Sequence, residues 1–404
     1  MKQSKTAYSY SSRLELLDWD FKKESARSFL HDICWYPCRF IPVIPAQLID
    51  TLSSPGDTVL DPFCGVGTTL IESLRLNRNA ICSDLNPIAV FISKTKARVF
   101  SGQDIDLSKM KTVLGAITEC VDKSEIPLLS SSHGESRLGK IELEEIPNYE
   151  ELSQWFHEDT LKILGGIKKE IDSIEHELTS DVLKVIFLGI LMGSTGHTGG
   201  KPYTYYADNV KPKDGLAFKN SFKLYSKKLM QFISEYEEEG PLSNNSRTWA
   251  VRKLDVRELA TEITNPVDLI VTSPPYLDVA DYTKGFRLAH LWFGDDEDEI
   301  KQSTMQEIGA RWKRKKKGSH AQYLDDMTRS LCAMNAVLKP GGHMALVIGE
   351  SRKYLDTVIS ELEEYLVDVA GLKVVLSKVR EISNKSFKHP SGGVDMEKII
   401  VLKK

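Results

Sequence analysis

The stretch Thr58-Val59-Leu60-Asp61-Pro62-Phe63-Cys64-Gly65-Val66-Gly67-Thr68-Thr69 decides the fold class. Its first three residues form a short apolar run of strand type that ends in Asp61, and Thr68 to Leu76 then carries a helical pattern. Gly65 and Gly67 between them let the backbone turn tightly and approach a ligand closely. Just downstream, Asn79 to Ser83 reads as a second strand ending in Asp84. Pro87 suits a first helical turn, and Ile88 to Lys96 continues that helix. Strand, helix, strand, helix is the signature of a parallel sheet.

The alternation resumes far along the chain. Trp249–Leu254, Val267–Val271, His343–Ile348, Leu372–Leu376 and Lys398–Leu402 read as strands. Helical patterns cover Arg257–Glu262, Asp325–Leu338 and Tyr354–Val369. The expectation is an α/β protein with one doubly wound sheet of seven strands, split between residues 1–100 and 246–404. Residues 101–245 differ in character. Glu150–Leu178, Asp181–Met192 and Leu216–Glu239 look helical, and a glycine-rich break runs from Gly193 to Gly200. This segment is expected to be an inserted, mostly helical domain.

Composition fits that architecture. The chain has 404 residues, 41% hydrophobic and 27% charged, which excludes a disordered, collagen-like or disulfide-framework protein. With 53 basic and 57 acidic residues the net charge is -4, so a nucleic-acid partner would need a local basic surface. The six cysteines include no CxxC pair and no zinc-type spacing, so no metal is expected. Sparse cysteine and the absence of a signal-type or membrane-spanning apolar run predict a soluble cytoplasmic protein with no membrane partner.

The loop at Asp61–Thr69 lacks the third glycine of a dinucleotide fingerprint and the Gly-Lys-Ser/Thr of a phosphate-binding loop. DPFCGVGTT instead resembles motif I of S-adenosylmethionine-dependent methyltransferases acting on exocyclic amino groups. The resemblance implies a Rossmann-like methyltransferase sheet and S-adenosylmethionine as cofactor. It places Asp61, Phe63, Gly65, Gly67 and Thr68 around the cofactor, with Asp61 and the glycine loop near its methionine part. Asp84 would hold the ribose diol, and Asp255 would take the adenine amino group. Upstream, Trp35 to Pro42, continuing to Leu48, resembles the motif X segment that closes over the cofactor.

Thr272-Ser273-Pro274-Pro275-Tyr276 ends the strongest strand. Two prolines cannot donate to a sheet ladder, but they make a rigid loop at the carboxyl edge, where open α/β folds place their sites. The string resembles motif IV of the amino-methyltransferases, which makes Ser273, Pro274, Pro275 and Tyr276 the catalytic candidates. An exocyclic base amine is a weak nucleophile because its lone pair is delocalised. Acceptors at its two N–H groups, the Ser273 side chain and the Pro274 carbonyl, would localise that pair in a preorganised site. Tyr276 would stack an extruded base. Ser in the first motif position favours cytosine N4 over adenine N6 as the methylated group.

The implied protein is a site-specific DNA methyltransferase of the restriction–modification type, acting on double-stranded DNA, either solitary or paired with a cognate restriction endonuclease. Asp281, Tyr282 and Arg287 also match such enzymes, with helix capping and packing as the alternative role. Arg311-Trp312-Lys313-Arg314-Lys315-Lys316-Lys317 could meet the DNA backbone. The insertion's Lys201 and Tyr203, with Tyr205, Tyr206, Lys211, Lys213, Lys219 and Lys223 nearby, suit groove or flipped-base contacts. His197 in the glycine-rich loop could reach a base. Two other readings compete. An RNA guanine-N2 methyltransferase shares DPFCG but usually carries Asp-Pro-Pro-Tyr after an N-terminal RNA-binding domain. A DNA-binding protein with a degenerate core would not need intact Asp61, Asp84 and Ser273–Tyr276.

Overall fold

The computed structural model describes residues 10–22, 29–34, 36, 41–122, 143–196, 215–239, 247–349, 357–382, 394 and 396–404. His197, Lys201, Tyr203, Tyr205, Tyr206, Lys211 and Lys213 lie outside these residues, as do Trp35 and residues 37–40 of the motif X segment.

Seven strands form one sheet: β1 (Thr58–Asp61), β2 (Asn79–Asp84), β3 (Trp249–Lys253), β4 (Val267–Thr272), β5 (Leu338–Gly349), β6 (Lys373–Glu381) and β7 (Met396–Lys403). Their order is β3-β2-β1-β4-β5-β7-β6. The first five are mutually parallel, and β7 runs antiparallel between β5 and β6. From β1 the chain winds outward to β2 and β3, then crosses back to β4 beside β1. The switch point therefore lies between the carboxyl ends of β1 and β4, where a doubly wound sheet opens its ligand crevice.

The sheet is covered on both faces, as apolar runs in parallel strands require. Alternate residues go to opposite faces. Val59, Leu269, Val271, Ala345 and Val401 pack with Ile44 and Leu48 of helix Val43–Leu52. Leu60, Ile270, Met344 and Ile400 pack on the other face with Met327 and Leu331 of helix Ser319–Val337.

Between β2 and β3 lie helices Pro87–Phe100, Leu107–Asp122, Tyr149–Leu152, Glu158–Asp172, Glu177–Ser194 and Ser221–Glu239. The helical pattern expected over Glu150–Leu178 is broken into separate helices. His157 and His176 cap the later two, each ring nitrogen accepting a backbone N–H of the first turn. Among the described residues, the apolar interior of these helices is continuous with that of the catalytic half. Leu161, Val182, Leu183 and Tyr225 belong to one apolar cluster with Leu70, Ile71, Ile92 and Trp292. Arg287 adds a polar tie, its guanidinium donating to both carboxylate oxygens of Glu151.

Some boundaries differ from the sequence pattern. β5 begins at Leu338, because the Gly341 N–H donates to the Lys404 carbonyl and the Lys404 N–H to that of Gly342. Helix Thr357–Glu364 ends in a wider π turn over Tyr365–Val369. The segment after β3 is a 3-10 turn, Val256–Glu258, before the short helix Leu259–Glu262. Among the described residues, no helix is long and apolar enough to cross a membrane and no His/Cys/Asp/Glu group could hold a metal.

Candidate active site

A cleft of about 840 Å³, its open mouth included, lies at the switch point. Its floor is the turn after β1, where Pro62, Phe63, Cys64, Gly65, Val66 and Thr68 all line it. Gly65 and Gly67 both have positive φ, +49° and +78°, so the turn needs glycine at both places. A Cβ on Gly65 would also come within 3.1 Å of the Tyr36 ring.

Neighbouring groups hold this turn in place. The Gly65 N–H donates to Asp84 Oδ2 at 2.8 Å, the Ser93 hydroxyl donates to the Gly65 carbonyl at 2.8 Å, and the Lys96 ammonium donates to that of Val66 at 2.8 Å. Ser93 and Lys96 sit on helix Pro87–Phe100, which Asn86 caps by accepting the Ile88 N–H. Asn86 Oδ1 is thus engaged, while its buried Nδ2 has no partner and the residue borders the cleft.

Asp84, Asp255, Ser273 and Pro275 all line the cleft, from the ends of β2, β3 and β4. Asp84 accepts the Gly65 and Asn86 N–H groups, yet burial pushes its carboxyl up to about 6. Asp255 accepts from the Arg257 backbone and side chain, and Arg257 reaches on to Asp326. The Ser273 hydroxyl lies 3.1 Å from that of Tyr276. The Tyr323 hydroxyl pins the Pro275 carbonyl at 2.9 Å.

Several candidates sit elsewhere than their motifs suggest. Asp61 does not line the cleft. It is 1% exposed and accepts the Thr272 hydroxyl at 2.6 Å, so it clamps the end of β1 to the end of β4. Burial raises its carboxyl to about 6. Gly67 also stands back, behind the turn, with Ser93 3.0 Å from where its Cβ would be. The Tyr276 ring offers no open face for stacking. It is 3% exposed, packed against Gly349 and Val394, with its hydroxyl donating to Glu397 Oε1 at 2.9 Å. The aromatic residues bordering the cleft are instead Phe63, Tyr36 and Tyr282, the two tyrosines stacked with ring centroids 6.0 Å apart.

The basic run is divided in the same way. Lys313 points inward, its ammonium donating to the Met305 and Glu307 carbonyls. Arg314 and Lys315 to Lys317 are exposed, and Arg311 is half-buried. The run is fastened beside the cleft, since the Arg311 N–H donates to the Ala280 carbonyl and the Trp312 N–H to Asp281. The Lys284, Lys313 and Lys316 ammonium groups surround the Trp312 ring within 5.5 Å of its centroid.

Sequence reasoning missed four polar residues around the site. Asn86, Glu307, Arg380 and Glu397 belong to no local motif. Arg380 and Glu397 form a buried ion pair behind Tyr276, and Arg380 also donates to the Trp19 carbonyl.

A seven-stranded sheet with an antiparallel β7, opening on a glycine-turn cleft between β1 and β4, defines the Rossmann-like methyltransferase fold. The family model described as DNA methylase (N6_N4_Mtase) matches residues 5–95 and 267–389, and the chain belongs to that family. S-adenosylmethionine is the methyl donor that this fold and family imply. Type II methyltransferase M.MvaI of Kocuria varians is 24% identical over 310 residues, 72% of this chain and 64% of that protein. Type II methyltransferase M.MjaII of Methanocaldococcus jannaschii is 19% identical over 445 residues, covering 92% of this chain and 81% of its own. Type II methyltransferase M.BsoBI of Geobacillus stearothermophilus is 23% identical over 311 residues, covering 71% and 57% respectively. The chain thus spans just under two thirds of M.MvaI.

The cleft fits the implied cofactor by its own chemistry. It offers a carboxylate at the end of β2, a backbone turn that only glycine allows, and two buried polar atoms without partners, Asn86 Nδ2 and Glu307 Oε2.

Proposed function

We propose that the chain is a site-specific DNA methyltransferase that modifies an exocyclic amino group, cytosine N4 in preference to adenine N6, on a base turned out of double-stranded DNA. The observation that carries this reading is Ser273 and Pro275 bordering the same cleft as the Gly65 turn and Asp84. Asp84 would hold the ribose hydroxyls, Asp255 the adenine amino group, and the Phe63–Thr68 turn the methionine part. Bound S-adenosylmethionine supplies an electrophilic methyl group. Ser273 and the Pro274 carbonyl accept the amine's N–H groups and localise its lone pair, while the two prolines hold those acceptors fixed. Asp61 acts at one remove, by tying the catalytic strand to the cofactor turn.

We read residues 101–245 as the target-recognition segment. Lys201 and Tyr203 are proposed DNA contacts there, and Arg311 and Arg314 are proposed phosphate contacts at the mouth. Lys313 is withdrawn from that set because its ammonium is bonded inward. Ser in the first position of Ser273–Tyr276 is what supports cytosine N4. The restriction–modification setting is supported by the type II methyltransferases that the chain resembles. Single-molecule sequencing of DNA from cells expressing the protein tests the reading. Modified cytosines in one fixed context are expected. Modified adenines would reverse the choice of base, and unmodified DNA beside methylated RNA would overturn the reading.

Asp84 gives a pH dependence. Its carboxyl titrates at about 6, raised by burial, and only the charged form accepts from both ribose hydroxyls. Cofactor affinity is expected to fall by about tenfold between pH 7 and pH 5, as the group protonates. Calorimetric titration across that range checks it, with Asp84→Asn removing the pH dependence at a weaker baseline.

A further inference from the structure

Glu307 is a buried carboxyl that packing alone does not account for. It is 6% exposed, and its Oε1 accepts the N–H groups of Tyr282 and Thr283. Its Oε2 is buried without a partner, and the residue borders the cleft together with Tyr282, Thr283 and Ser273. A buried, unsatisfied carboxyl oxygen destabilises a fold unless a ligand completes it. The charges around the cleft indicate what kind of ligand. Among the described residues, its ionisable lining is acidic, Asp84, Asp255 and Glu307, with no Lys, Arg or His. Asp255 already has Arg257 as a counter-charge. Glu307 has no comparable partner at its free oxygen.

We propose that Glu307 serves the positive charge of the cofactor, and so gives the cleft its preference for S-adenosylmethionine over the demethylated product. The inference rests on the reading of the cleft as a cofactor site. Substrate and product share the adenosine, the α-amino group and the carboxylate, and differ by one methyl group and one positive charge. A fixed, buried carboxylate acts on that charge more strongly than one in water, and so can set the ratio of the two affinities. It would hold the charged cofactor before reaction and release the uncharged product after it.

The titration of the empty site agrees. Burial pushes Glu307 from 4.5 to about 8. Besides the backbone donors, Asp281 from the loop after the catalytic motif raises it further, and Lys313 from the following turn lowers it. The folded protein therefore holds a proton there that the unfolded chain loses near 4.5. Stability from this group is present at low pH and lost as pH rises through that window to about 8. Glu307→Gln removes the loss, so the empty variant is expected to melt higher than the wild type at pH 8 and alike at pH 5. That result also reports that the variant folds.

The deciding experiment is equilibrium binding of S-adenosylmethionine and S-adenosylhomocysteine, separately, to wild type and Glu307→Gln at pH 7 and pH 9. In the wild type the ratio of affinities is expected to favour the charged cofactor increasingly toward pH 9. The ligands' own α-amino groups titrate alike in both proteins, so the variant at the same pH is the reference. In Glu307→Gln the ratio should fall by about tenfold relative to wild type at pH 9 and by less at pH 7, with product affinity within about threefold of wild type. Equal weakening of both ligands would overturn the proposal, making Glu307 a contact to their common part. Unchanged binding of both with methylation lost would also overturn it, in favour of a target-base contact. Failure of the wild type to bind either ligand would instead sink the cofactor reading itself.

Discussion

Ser273→Ala is expected to lower the turnover of DNA methylation by about 10²–10³-fold while leaving cofactor affinity within about twofold. The side chain lies at the end of β4, lines the cleft, and reaches the Tyr276 hydroxyl at 3.1 Å. In the proposed mechanism its removal takes away an acceptor for the amine in the transition state, and leaves the Gly65 turn and Asp84 untouched. Cofactor binding by calorimetry and single-turnover methyl transfer separate the two effects. A variant that keeps more than about a third of wild-type turnover would mean that the lone pair is localised by some other group.

Arg380→Ala is expected to destabilise the fold by about 3–5 kcal/mol, because it leaves the Glu397 carboxylate buried without its cation. Arg380 is 5% and Glu397 7% exposed. The pair belongs to a chain of contacts that runs from the Trp19 carbonyl through Arg380, Glu397 and the Tyr276 hydroxyl to Ser273. Urea unfolding measures the loss. The double variant Arg380→Met/Glu397→Leu replaces both charges with apolar groups and is expected to recover most of the stability. It still removes the acceptor that orients Tyr276, so its turnover should remain below wild type. A double variant with full turnover would make the pair a packing device alone.

Local pattern accounts for what the sequence revealed. β1, β2 and β4 are short apolar runs punctuated by Asp61, Asp84 and the prolines, and each lies where its run predicts. The Gly65 turn, Asp84, Asp255 and Ser273 come together because each ends a parallel strand, and such ends share one edge of the sheet. What pattern could not reach is the direction of single side chains. In a run of six basic residues nothing distinguishes Lys313, which bonds the Met305 and Glu307 carbonyls, from the exposed Arg314. Tyr276 belongs to a motif, but its burial depends on Gly349 and Val394, far along the chain. Glu307 follows an acidic, amphipathic helix, Glu297–Gln306, and reads as more of the same until its carboxyl meets the Tyr282 and Thr283 backbone. Glu397 and Arg380 pair only because β6 and β7 lie side by side.

The apolar cluster that joins Leu161, Val182 and Tyr225 to Leu70, Ile92 and Trp292 has a consequence for how specificity can diverge. A recognition unit with its own core could be exchanged between enzymes like a cassette, at two joints. Here, among the described residues, the interior of the helices after β2 is continuous with that of the catalytic half. A graft of the whole segment would have to match the catalytic half side chain for side chain, or leave voids where Trp292 and Phe187 now meet edge to face. On the proposed reading of residues 101–245 as the target-recognition segment, new target preferences are more accessible to substitutions on its outer surfaces than to wholesale replacement.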